Sequence, residues 1–77
     1  MDVKVYVAST GKGAYALAPE NVIEVCVSGP YPLSDAKSYA FDYTKGEDKP
    51  AYVYEVSLRE VGSYQTRKEV VFVPPKP

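Results

Sequence analysis

Seventy-seven residues, 45% of them apolar and 25% charged, make one small domain near the lower size limit for a fold held by its core alone. Nine basic and ten acidic side chains leave a net charge of −1, without the basic excess of a chain built to grip phosphates. Histidine and tryptophan are absent and there is one cysteine, which removes imidazole-activated nucleophiles, imidazole metal sites, structural zinc sites and internal disulfides.

Residues 3–9, VKVYVAS, alternate Val3, Val5 and Val7 against Lys4 and Tyr6, the pattern of a half-buried strand. TGKG at 10–13 supplies turn residues. In Ser9–Tyr15 the Gly-Lys pair lacks the spacing of a phosphate loop, so a flexible turn is expected there. At 14–18, Tyr15 and Leu17 suit a short extra strand that Pro19 stops. VIEVCVSG at 22–29 is rich in β-branched residues and ends at Gly29-Pro30. On it Cys26 is expected as a small core residue, with no local base to activate its thiol.

Pro30 and Pro32 hold 28–34 extended. Ser34 then reads as a helix N-cap, Asp35 as a first-turn acid that suits the helix dipole, and Gly46 as the stop, which predicts a helix over 34–45. At 100° per residue Leu33, Ala36, Tyr39, Ala40 and Tyr43 share an arc of roughly 120°. They are expected to face Val3, Val5 and Val7 and one side of the strand that starts at Ala51. Phe41 falls outside that arc, among polar residues.

From Ala51 the chain alternates Tyr52, Tyr54, Val56 and Leu58 against the mostly polar Val53, Glu55, Ser57 and Arg59. Gly62 to Gln65 read as a hairpin turn and RKEVVFV at 67–73 as a last strand. Glu55 with Glu60, or Glu20 with Glu24, are expected as surface charges rather than catalytic pairs. Pro74 to Pro77 match a PxxP pattern, but a strand stop and a tail explain them. The fold class expected is α+β: a four-stranded, mainly antiparallel sheet with one helix on one face, in the order β-β-α-β-β. A single domain spans 1–73 and a proline-rich tail spans 74–77. The outer strands, 22–28 or 67–73, would offer edges to a partner or to a second copy as a homodimer.

Lys37-Ser38-Tyr39-Ala40-Phe41 resembles the RNP1 strand of RNA-recognition motifs, and Val5-Tyr6-Val7 resembles the start of that family's second aromatic strand. This implies an alternative function, single-stranded nucleic-acid binding on an aromatic sheet face. Ser38 and Asp42 depart from the pattern, and the prolines and strand within 11–32 leave no room for the helix that the family needs between its motifs.

A second resemblance rests on Val3–Val7, on GPYPLSDAKSYA at Gly29–Ala40 and on Tyr52–Leu58. These stretches, under half the chain, are similar to small bacteriophage proteins of strand-strand-helix-strand layout. The resemblance implies a host-takeover role: binding and inhibiting RNA polymerase, CRISPR or other defence machinery in the host cytoplasm.

Eight tyrosines are a high count, and tyrosine is enriched where proteins meet. Tyr6, Tyr31, Phe41 and Tyr64 are the candidate partner-binding residues. The function expected is therefore a non-enzymatic protein-interaction module, without cofactor or metal. Its location is expected to be cytoplasmic, because the lone Cys26 suits a reducing setting; no apolar run is long enough to span a membrane, and MDVKVYV lacks a signal peptide's basic-then-apolar layout.

Overall fold

A computed structural model of the chain describes residues 4–27, 29–47, 49–57 and 67–74. In chain order the elements are β1 (Lys4–Ser9), a 3-10 turn (Gly13–Tyr15), β2 (Val22–Cys26), α1 (Pro32–Gly46), β3 (Ala51–Ser57) and β4 (Arg67–Val73). The strands form one antiparallel sheet in the order β2-β1-β3-β4, with α1 packed on it, so the α+β layout is as the sequence predicts. The hairpin turn at 62–65, and Tyr64 with it, lie outside the described residues.

The β-branched alternation places β1 and β3 in the middle of the sheet, where Tyr6 pairs with Glu55, Val7 with Tyr54 and Ala8 with Val53. Both strands are buried on both faces, which the alternation alone does not reveal. Two register shifts adjust the edges. One opposite Ala8/Ser9 in the β1–β2 pair brings Ile23 to the same side as Cys26; the other, opposite Val53/Tyr54, does the same for Val70 on β4.

The helix does not cover the Val5/Val7 face. It packs instead on the opposite side, where Ala36 and Ala40 meet Ala8, Ala51, Val53, Cys26 and Val73. Size decides this. Alanines on both the helix and the strands let the two backbones approach closely, which the valine face would prevent. Val5, Val7 and Val56 form a second core with Leu17, Val22 and Val25. Ala16 packs there with Tyr52 and Tyr54, so the connection between β1 and β2 roofs the second face. The expected strand at 14–18 is instead a 3-10 turn, entered through Gly13 at φ 65°, a left-handed conformation natural to glycine.

The helix starts earlier than its sequence signals suggest. Tyr31 is the N-cap and Pro32 is the first helical residue, because the fixed φ of proline already suits that position. Ser34 therefore lies inside the first turn and not at the cap. The buried stripe is Ala36, Ala40 and Thr44, flanked by half-buried Leu33 and Tyr43. Tyr39 is not a core residue; it is 44% exposed. Thr44 is buried without cost to its hydroxyl, which donates to the Phe41 carbonyl at 2.8 Å. Filling the contact tests this packing. Ala40→Leu is expected to lower stability by about 1–3 kcal/mol through overpacking, measured by denaturant unfolding.

Candidate functional site

The sharp return of the chain after β2 creates a feature that resembles a site. Gly29 at φ 98° turns the backbone, and Pro30 and Pro32 feed it directly into α1. The first half of the helix then runs beside the β2 edge. Between them lies an open cleft of about 240 Å³, lined by Glu24, Val25, Cys26 and Val27 on the strand side and by Asp35 and Tyr39 on the helix. Tyr31, Asp35 and Tyr39 follow one another at helical i, i+4, i+8 spacing, a stripe along one flank of α1. Tyr31, at the start of that stripe, is 71% exposed, and Val27 on the strand side is 43% exposed.

β2 is an edge strand, and antiparallel pairing turns alternate amides away from the neighbour. The Val25 N–H donates to Glu24 Oε1 at 3.3 Å, a local and exposed acceptor. Glu24 and Asp35 form no ion pair among the described residues. Both carboxylates line the cleft.

Cys26 closes the inner end, a buried free thiol. Burial pushes its pKa up, and the carboxylates of Asp35 and Glu24 add to that. The thiol is thus held in its unreactive protonated form. Alkylation of Cys26 by iodoacetamide is expected to lag behind that of a free thiol at mildly alkaline pH and to reach it only at higher pH. Asp35→Asn is expected to reduce the lag in part; a free-thiol profile in the native chain would contradict this environment. The same raised pKa gives a stability term that is complete below the ordinary thiol value. It is lost as pH rises through the folded value.

The four sequence candidates do not form one surface. Tyr31 stands at the foot of the cleft stripe. Tyr6 is half-buried on the helix side of the sheet, where its hydroxyl donates to Glu55 Oε2 at 3.1 Å. That hydrogen bond, then burial and the charge of Glu55, raise the Tyr6 pKa. Glu55 also faces Lys4 Nζ at 3.7 Å, so it is a half-buried anchor and not a free surface charge. Phe41 is 51% exposed, about 15 Å farther along the helix than Tyr31 and on the flank away from Tyr39. Tyr64 is outside the described residues.

Sequence reasoning missed Glu24, Val27, Asp35 and Tyr39, which only the Gly29 turn brings together. Lys37 to Tyr43 lie on α1, so the strand placement required by the RNP1 likeness does not hold. On the sheet face away from the helix, Tyr52 stacks at a tilt on Tyr54 and Phe72, with ring centroids 6.2 and 5.3 Å apart. Tyr52 and Tyr54 are buried there, and only Phe72 is open to solvent. Among the described residues no helix is long and apolar enough to cross a membrane. Compared with known proteins, the chain matches no family model, no curated protein and no solved structure.

Proposed function

We propose that the chain is a non-enzymatic protein-interaction module that works through the cleft between β2 and α1. One observation carries the reading. An edge strand whose Val25 amide is held by an exposed side-chain carboxylate lies beside the exposed Tyr31 and Tyr39 of the helix, with Val27 exposed at its own end. Exposed aromatics beside an edge-strand backbone supply both contact area and directional hydrogen bonds, the two ingredients of strand-groove recognition. A chain of this size would act by occupying a surface on a larger protein, the inhibitory mode that the likeness to phage host-takeover proteins implies.

Affinity purification with the native chain, with a Tyr31→Ala/Tyr39→Ala variant and with Phe72→Ala tests this. A protein retained by the native chain and by Phe72→Ala is expected to be lost from the double variant. Truncating two central aromatics is expected to weaken binding by about a hundredfold or more. Melting temperatures should stay close, because both tyrosines are largely outside the core. Equal retention by all three chains would remove the cleft as the binding surface.

A further inference from the structure

We propose that the cleft receives an extended, basic segment of a partner protein, which adds to the sheet as a strand against β2. The inference rests on the interaction reading above and names the chemistry of the occupant. The edge supplies the backbone half of recognition. The Val25 N–H is held at 3.3 Å by the carboxylate of its own neighbour, an acceptor that an incoming carbonyl replaces. The displaced Glu24 carboxylate is then free for a side chain of the new strand.

Charge selects that side chain. Glu24 stands on the strand side of the cleft and Asp35 on the helix side, and neither forms an ion pair among the described residues. A lysine or arginine on the added strand would lie between them. The alternate positions of that strand would lie on the other face of the sheet, beside Val25 and the exposed Val27, which calls for apolar residues. Glu24 also decides against a second copy in the same place. Antiparallel self-pairing of two β2 strands would bring two Glu24 carboxylates and two Asp35 carboxylates into one groove. A charged residue on a short edge strand is also the usual guard against such pairing.

Two blocked octapeptides test the proposal, one of alternating lysine and valine and one with glutamate in place of lysine. Each is titrated into the native chain at low and at physiological salt, followed by amide chemical shifts and by the alkylation rate of Cys26. The basic peptide is expected to move the amides of Ile23 to Val27 and of Asp35 to Tyr39, and to slow alkylation. Added salt should weaken it, and Glu24→Lys should weaken it by about tenfold. The acidic peptide should do neither.

Equal binding of both peptides would overturn the charge selection while leaving the cleft as an interaction surface. Shifts centred on Phe72 would overturn the placement. Binding of neither peptide by a chain that still loses its captured protein on Tyr31→Ala/Tyr39→Ala would overturn strand addition alone. Self-association of Glu24→Gln, with basic-peptide binding unchanged, would reduce Glu24 to an edge guard and overturn its assigned role.

Discussion

Ser9→Ala is expected to lower the stability of the fold by about 2–4 kcal/mol, because it orphans two buried backbone groups at once. The Ser9 hydroxyl is fully buried; it donates to the Ala16 carbonyl at 2.5 Å and accepts from the Gly11 N–H at 2.9 Å. These two bonds pin both arms of the β1–β2 connection, the segment that roofs the second core. Removing the oxygen leaves no water-accessible substitute for either group, which is why a single atom matters so much. In a domain of this size the loss should lower the melting temperature by roughly 10–25 °C. Thr10→Ala is the control. Its hydroxyl meets the Asn21 carbonyl at 3.3 Å in a half-buried place, and the Thr10 N–H holds the same carbonyl at 2.9 Å. Its loss should cost about 1 kcal/mol or less. Similar losses for the two variants would contradict the role given to Ser9.

Gly11→Ala is expected to cost about as much, roughly 2–4 kcal/mol, by a different route. A methyl group at Gly11 would overlap the Tyr15 carbonyl and stand 2.8 Å from Asn21 Nδ2. Those two atoms are themselves hydrogen-bonded at 3.0 Å, so the methyl intrudes on an existing bond. The loop cannot move aside freely, since the Gly11 carbonyl accepts from the Tyr54 hydroxyl at 3.0 Å in the buried sheet face. Gly13→Ala separates crowding from backbone conformation. Its methyl would meet nothing, yet φ is 65°, so only the left-handed strain of about 1–2 kcal/mol remains. Urea unfolding of the three proteins at one temperature measures both effects; a loss at Gly13 equal to or above that at Gly11 would contradict the close approach.

These two residues also show where the sequence is readable and where it is not. The four strands stand out because valine, isoleucine and tyrosine recur at a period of two, and the β4 limits, 67–73, agree residue for residue. The helix is legible from its alanines and from Gly46. Its partner face is not, because alternation distinguishes two sides of a strand without saying which is covered by what. Lys4, Tyr6 and Glu55 read as a solvent side, yet their polar tips satisfy one another at the rim of the helix contact. The readable clue was size: Ala8 and Ala51 complement Ala36 and Ala40.

Ser9 gives no such clue, since a serine at the end of a strand is ordinary until its two backbone partners are known. The candidate site was legible in part. Tyr31, between prolines, lies where burial is doubtful from sequence, and it is exposed. Tyr39 was hidden by assigning it to the buried stripe, although it sits on that stripe's margin and the smaller Thr44 takes the place inside. Glu24 and Asp35 are too far apart in sequence for spacing to join them, and a left-handed glycine at position 29 does so.

Amide-resolved NMR of the labelled chain, free and bound to the protein that it captures, tests the central claim most directly. The cleft account predicts perturbed or newly protected amides at Ile23 to Val27 and along Asp35 to Tyr39, with Val25 among the most affected. Perturbation centred on Tyr52, Tyr54 and Phe72, with Val25 and Tyr39 unchanged, would contradict it.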